Sequence, residues 1–525
     1  MRYAICFGIV LAAIAPSATL CPAAPPVDEA TRAAQVIVQL NDVDSVLRRQ
    51  ASLQLNSLGA EALPVVEKAA ASGENRSPEQ RLRLKKALTI LRPRARDMTL
   101  RNARRDWLRK IFVDAYTAGG HTNAKWDAQA GAAIDAYLAS SLNPAGNTQP
   151  LIEAAFNTAK AATDLGCDDP LVYALYRLHA VGEYSEQTDK VGAWGTVRGN
   201  LKVATYPAIL LLWLDVDADR MRPSPISVVT RDWASRLEQI SKDGSTSPER
   251  GDFLGRRMYR AMNPSGDPMP QAAAEFLVEY KRLFGKTIGT LLCDSDVLFK
   301  EISADMLTRT GGQVFTTPED WRGEGGLLAK AEKINIEAEA LDPTDPRPSA
   351  ELVRIKMLQI DATREDFDRV FQHAVSLNPD NYTLFDRRMD YLKPEWRGNR
   401  DELLAFGREC METENWRAGI PMTFIKIHEY LADHTADPDT YFTERGVRED
   451  IRDVFGPHLL NFPDDVKTRC NYAHYAMRCD DWATAKAQFD IIGDKFDRSV
   501  FPSQGLYEHD REKAARLAQS TPGKA

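Results

Sequence analysis

At 525 residues the chain is too long for one hydrophobic core, and with 43% hydrophobic and 27% charged residues it is too ordinary in composition to be disordered. Two to four domains or a continuous repeat array is the expectation. The formal net charge of −8 is unevenly spread, because Arg76 to Lys110 holds 13 Lys or Arg against 3 Asp or Glu, a local balance of +10 that leaves −18 for the rest.

The first residues have the layout of a secretory signal peptide: Arg2, an apolar run from Ala4 to Ala15, then small residues and proline ending at Ala23 and Ala24. The run is shorter than the ~20 apolar residues of a permanent span. Cleavage near Ala23 and export, periplasmic or extracellular, are expected. Cys21 could take a lipid anchor, but Leu20 stands before it where that processing prefers a small side chain. The next apolar run, Ile209 to Leu214, is far too short to cross a bilayer, so no transmembrane span is expected in the mature chain.

Apolar residues at three- and four-residue spacing predict helices over Thr31 to Leu40, Val43 to Leu58 and Ala60 to Ala71, with turns at Asn41-Asp42 and Gly59. Ser77-Pro78-Glu79-Gln80 supplies a cap, a first-turn proline and a Gln able to close a capping box; Pro93 is expected to stop that helix. The stretch with Arg49-Gln50-Ala51, Gly59 and Ala62-Leu63-Pro64 resembles a HEAT-type helical repeat, which implies a packing module. Helical periodicity continues from Arg101 to about Gly311. It is broken at Pro144 to Asn147, Arg222 to Pro225 and Asn263 to Pro270, and "NLKVATYPAILLLWLDV" is read as helical too.

The last third echoes itself. Pro318-Glu319-Asp320-Trp321-Arg322-Gly323 precedes Leu327-Leu328-Ala329, and Pro394-Glu395-Trp396-Arg397-Gly398 precedes Leu403-Leu404-Ala405. Between them Leu341-Asp342-Pro343 returns as Leu377-Asn378-Pro379, a spacing that suits two-helix repeats of the tetratricopeptide kind, whose unit is ~34 residues. Each Leu-Asx-Pro is expected to end a helix, the polar residue capping carbonyls and the proline barring continuation. Tyr391, Leu392, Pro394, Trp396 and Gly398 resemble an uncharacterised bacterial domain family with a YL-x-P-x-W-x-G signature, from which Arg397 departs; the resemblance implies fold and no activity.

The expected architecture is all-α, stacked antiparallel helix pairs forming a HEAT-like and then tetratricopeptide-like α-solenoid. Its parts are a signal peptide at 1–23, a HEAT-like module at 24–97, a helical middle domain at 98–310, tetratricopeptide-like repeats at 311–512 and a flexible tail at 513–525.

Each candidate chemical motif in the chain lacks a required neighbour. Gly285-Lys286-Thr287 resembles the end of a phosphate loop, but Tyr280 stands where its first glycine belongs. Asp215, Asp217 and Asp219 alternate as in a calcium loop, with Arg220 and Ile226 at the positions that need Gly and Glu. His428 and His434 are six apart rather than the four a zinc helix needs, and Cys470, His474 and Cys479 lack a close Cys pair. A bridge between Cys470 and Cys479 depends on their falling on neighbouring helices. His121, after Gly119-Gly120, is the most loop-like histidine.

No catalytic, cofactor or metal residue is therefore assigned, and no cofactor is expected. The basic segment offers a patch for an anionic partner at Arg101, Arg104, Arg105, Arg109 and Lys110, or else a solvated face paired with the acidic body of the same chain. Export disfavours nucleic acid as that partner; an anionic envelope surface or an acidic protein fits better. Solenoids leave a long face for a partner, so the expected role is an exported binding or scaffold protein recognising a protein or peptide, without catalysis. The alternatives are an envelope-polymer enzyme with carboxylates converging in the middle domain, and a structural envelope component.

Overall fold

The computed structural model describes residues 28–72, 76–143, 149–179, 206–221, 226–242, 246–262, 271–310, 318–444 and 446–520. Every regular element among them is helical. The leader at 1–23 and the expected breaks at 144–147, 222–225 and 263–270 lie outside the described residues. The described residues divide into two compact units, one of 105–179 and one of 28–104 with 206–520.

The N-terminal module comprises α1 (Glu29–Gln39), α2 (Ser45–Asn56), α3 (Leu63–Ala71) and the start of α4 (Pro78–Ala118). Asp28 and Asp44 accept the first free amides of α1 and α2. The capping box forms as expected: Gln80 N donates to Ser77 Oγ at 3.2 Å, and Ser77 N donates back to Gln80 Oε1 at 3.1 Å. The same Gln80 donates its amide to Leu40 O at 3.1 Å, tying the start of α4 to the end of α1. Val36, Leu40, Leu55, Val66, Leu84 and Leu91 close a small core between the four helices.

Pro93 does not stop its helix. It lies inside α4, which runs 41 residues and passes through the expected 97/98 boundary. An interior proline removes one helical hydrogen bond and costs about 3 kcal/mol. Here the neighbouring side chains are fixed from outside: Arg94 donates to Leu58 O and to Asp380, and Arg96 Nη2 donates to Leu377 O at 3.0 Å.

In the other unit the second half of α4 meets α5 (Asp127–Ser141), which packs with α6 (Gln149–Asp164) and α7 (Pro170–His179). Alanines at 130, 133, 155, 159 and 162 are fully buried where α5 meets α6. The Phe112 and Tyr137 rings lie 5.6 Å apart.

The larger unit resumes with α8 (Ala208–Met221), α9 (Ile226–Lys242), α10 (Pro248–Met262), α11 (Gln271–Phe284) and α12 (Ile288–Thr310). The ambiguous apolar stretch is helical from Ala208, and Gly285, at φ +64°, stops α11. Then come α13 (Gly325–Leu341), α14 (Pro346–Leu358), α15 (Arg364–Leu377), α16 (Tyr382–Tyr391), α17 (Arg400–Thr413) and α18 (Thr423–Asp433). The short α19 (Pro438–Phe442), α20 (Val447–Asn461), α21 (Val466–Arg478), α22 (Trp482–Ile492) and α23 (Gln504–Ser520) complete it. Chain neighbours pack as pairs, α14 on α15, α17 on α18 and α21 on α22, so the all-α stack of helix pairs is the fold.

The Leu-Asx-Pro signals end α13 and α15 at Leu341 and Leu377. Their Asx side chains face forward rather than capping carbonyls: Asp342 Oδ1 accepts Thr344 N at 2.9 Å and Asn378 Oδ1 accepts Asp380 N at 3.2 Å. Trp321 and Trp396 pack against one cluster that includes Phe299, Ile302, Leu328 and Leu352. The signature around Trp396 is a packing corner. Tyr391 stacks on Phe367 with ring centroids 4.0 Å apart, and Arg397 donates to the carbonyls of Gln359 and Ala362 at 2.5 Å each. A Cβ on Gly398 would stand 2.2 Å from Leu392 O. At the C-terminus α23 reaches Ser520 and buries Tyr507 and Ala514, so residues 513–520 are helix and not loose tail.

Candidate binding groove

Helices α14, α16 and α18 pack in succession. Each turns a helically spaced row of polar residues to the same side: Glu351 and Arg354; Tyr382, Asp386 and Asp390; Lys426, Glu429, Tyr430 and Asp433. All but Asp433 are half-buried. Cross-helix contacts join the rows. Arg387 donates to Ala350 O and stands 3.9 Å from Glu351. Lys426 Nζ reaches Asp386 Oδ1 at 3.0 Å and lies 4.5 Å from the centre of the Tyr382 ring. Lys393 Nζ lies 4.9 Å from the Tyr430 ring, whose hydroxyl donates to Glu395, and the Tyr475 hydroxyl of α21 donates to Glu429.

Burial raises the pKa of Asp386 against the pull of Lys426, and raises that of Glu429 against its hydrogen bond from Tyr475. Both carboxylates are thus partly withdrawn from water on one polar face of the three helices.

At the α10–α12–α14 end the lining becomes arginine-rich. The side chain of Arg256 is 14% exposed, yet its contacts are all long: 3.5 Å to Gly289 O, 3.9 Å to Cys293 Sγ and 4.0 Å to Asp296 Oδ2. Arg354 lies 3.7 Å over the Phe299 ring and 3.8 Å from Glu351 Oε2, a buried oxygen with no hydrogen-bond partner. Burial raises the pKa of Asp296; Arg256 opposes the shift, Glu351 adds to it, and Arg260 and Arg354 oppose it. Burial likewise pushes the Arg387 guanidinium down, with Glu351 opposing and Arg354 adding. Asp252 is committed elsewhere, accepting from the Tyr280 hydroxyl at 2.5 Å, from Thr287 and from Gly289 N at 3.1 Å.

The residues singled out from sequence do not converge here. In the basic segment Arg101 pairs with Asp97, Arg105 with Asp106 at 3.5 Å, Arg109 with Asp135 at 2.6 Å and Lys110 with Asp114. Arg104 lies over the Phe253 ring at 4.5 Å. Asp215 and Asp217 are buried in ion pairs with Arg236 and Arg257, and Arg257 also covers Trp213 at 4.0 Å; the side chain of Asp219 is outside the described ones.

His428 Nδ1 meets Tyr441 Oη at 2.8 Å, whereas His434 Nδ1 meets Tyr430 O at 2.8 Å. Cys470 lies in the second turn of α21 and Cys479 caps its end, about 13 Å apart along the helix axis, so they do not bridge and both are free. Thr287 bonds to Asp252 and Thr290, Lys286 pairs with Glu337, and His121 meets Asp168 at 2.9 Å. Among the described residues no group of three or more His, Cys, Asp or Glu is placed to hold a metal ion, and no helix is long and apolar enough to cross a membrane.

The face escaped sequence reasoning because its residues are ordinary charged positions spread over 170 residues of sequence, from Arg256 through Glu351, Asp386 and Arg387 to Lys426. Only the one-face spacing inside each helix could have signalled it. No known protein family matches the chain, and no curated protein matches it.

Proposed function

We propose that the chain is an exported binding or scaffold protein that takes an extended segment of a protein partner along the α14–α16–α18 face. The observation that carries this reading is the row of half-buried polar and aromatic side chains there, Tyr382, Asp386, Lys426, Glu429 and Tyr430. Half-buried, ordered polar groups offer hydrogen bonds without a large desolvation penalty, which suits a peptide backbone better than a flat apolar partner. Export rests on the leader-like segment from Arg2 to Ala24, and the HEAT-like and tetratricopeptide-like character rests on the repeat signals of the sequence.

The test is selection of random peptides on the purified chain, followed by affinity measurement against Tyr430→Ala and Lys426→Ala. Selected peptides should compete with one another and lose about tenfold in affinity in either variant. Failure to select any peptide, or affinities indifferent to both substitutions, would sink the proposal.

A further inference from the structure

A single large apolar side chain left in water is ordinary, whereas several at one place call for a partner. They gather at one end of the N-terminal module. The turn between α1 and α2 and the first turn of α2 expose Val43, Val46 and Leu47, and Val43 is 99% exposed. The start of α4 adds Leu82, 68% exposed, and is tied to the same end: Gln80 donates to Leu40 O, Arg83 Nη1 donates to Arg48 O at 2.7 Å, and Glu79 pairs with both Arg48 and Arg83.

These residues continue a face that is covered further along. On α2, Val46 and Arg49 stand two turns and one turn before Leu53, which is buried in the cluster of Trp416 and Ile420. On α4, Leu82 stands one turn before Lys86, which pairs with Glu414 at 3.0 Å. The overhanging part is also charged. Residues 38–50 and 76–86 together hold seven Lys or Arg and three Asp or Glu, a balance of +4 in a chain of −8. The three acids are engaged locally: Asp42 and Asp44 accept the amides of Asp44 and Val46 at 2.9 and 2.8 Å, and Glu79 holds its two arginines. Arg49, Arg81 and Lys85 are exposed and make no ion pair among the described residues.

We infer that this end of the N-terminal module docks on an anionic lipid bilayer: Val43, Val46, Leu47 and Leu82 enter the headgroup boundary, and Arg49, Arg81 and Lys85 meet the lipid phosphates. Charge complementarity selects an anionic surface, and exposure selects a bilayer. A side chain as open as Val43 stands out from its surroundings; a deformable headgroup layer receives such a tip anywhere, whereas a protein would need a pocket built to match it. The two signals act together, because neither a few apolar side chains nor a few cations alone holds a protein firmly to a membrane. The excess of acidic residues in the rest of the chain repels an anionic surface, so this end is the one the bilayer attracts. The inference is independent of the peptide-binding reading.

The experiment is co-sedimentation of the full chain with vesicles of phosphatidylglycerol and phosphatidylethanolamine, against vesicles of phosphatidylcholine alone. The anionic vesicles should bind about tenfold more tightly, and the double variants Val43→Ser with Leu82→Ser and Arg81→Glu with Lys85→Glu should each lose about that factor. Arg105→Glu with Lys110→Glu should lose none. All six side chains are exposed, so the substitutions do not threaten the fold, and unchanged melting temperatures check this. A second readout places the contact. An environment-sensitive fluorophore on Val43→Cys should brighten and shift to the blue on anionic vesicles, and the same fluorophore on Glu508→Cys should not; the five cysteines at 167, 293, 410, 470 and 479 are buried and do not compete for the label. Equal binding to both kinds of vesicle, binding indifferent to both double variants at 43/82 and 81/85, or an unchanged signal at Val43→Cys overturns the inference. So does self-association that Val43→Ser with Leu82→Ser abolishes while vesicles are ignored, which would make this end a contact between two copies of the chain.

Discussion

Arg94 Nε and Nη2 donate to the two carboxylate oxygens of Asp380, each at 2.8 Å, and Asn415 closes the arrangement by accepting from Arg94 at 3.1 Å while donating to Asp380 at 2.8 Å. This fork is the centre of a joint between the N-terminal module and the helix pairs of the same unit. Around it Glu414, at φ +53°, accepts from Asn56 Nδ2 at 2.8 Å and pairs with Lys86 at 3.0 Å, and Arg417 reaches Glu29 at 3.1 Å. Breaking one partner of a buried pair leaves an uncompensated charge. Arg94→Met should lower unfolding stability by about 3 kcal/mol, and Arg94→Met with Asp380→Leu should recover part of the loss. Urea denaturation of the two single variants and the double variant checks this; additive losses would mean that the fork is not one interaction.

The same carboxylate sets an acid limit. Burial opposes ionisation of Asp380, but the hydrogen bond and charge of Arg94, with Asn415, hold its pKa below the usual carboxylate value. Its stabilisation is therefore complete above the unfolded-state pKa of about 3.9 and is lost as pH falls through the depressed folded value. Denaturation midpoints of the parent should fall more steeply than those of Asp380→Asn as pH drops below about 4.

Glu429 works in the opposite sense. Its pKa is raised by burial, so the stability linked to it is present below about 4.3 and lost as pH rises through the raised value. Glu429→Gln keeps an acceptor for Tyr475 and removes the buried charge. Relative to the parent, its melting temperature should rise between pH 4 and pH 8; a constant difference would show that the site does not titrate with folding.

Gly398→Ala tests the signature corner. The added methyl carbon would collide with backbone, which has no rotamer with which to yield. A loss of about 2 kcal/mol is expected, read as a lower melting temperature, whereas Gly131→Ala, where a Cβ meets nothing within 4 Å, should be neutral or stabilising.

Thiol chemistry gives a check on packing. Cys167, Cys293, Cys410, Cys470 and Cys479 are free and buried, and burial pushes the thiols of Cys293 and Cys479 up to about 12. All five should resist a thiol reagent in the native protein and react after denaturation without any reductant. Rapid native labelling at any of these five, or a need for reductant, would contradict the packing described.

Much of the helical stack was legible because caps and breakers are local. Ser77 and Gln80 act within four residues, and each Leu-Asx-Pro ends its helix within three. Pro93 was misread for a physical reason: what holds the helix together there is Asp380 and Leu377 O, far along the chain, and no local rule contains them. The charge excess of the basic segment was visible, but its destination was not. Lys86, Arg94 and Arg96 turn to the acidic body of the same chain, while Arg101 to Lys110 find nearby acids or, for Arg104, an aromatic ring. The polar face was illegible because it exists only once α14, α16 and α18 lie side by side.

The separation of Arg94 from Asp380 is 286 residues. During synthesis, at roughly 5–20 residues per second, the N-terminal module would emerge tens of seconds before the helices that complete its joint. Until then Arg94 has no fork, Asn56 lacks its acceptor on Glu414, and the interior proline is unsupported. The order of manufacture is the reverse of the order in which this module becomes secure. Refolding should accordingly end with a slow step in which the first-made helices dock last, and a chain cut before residue 380 should leave them open to proteolysis.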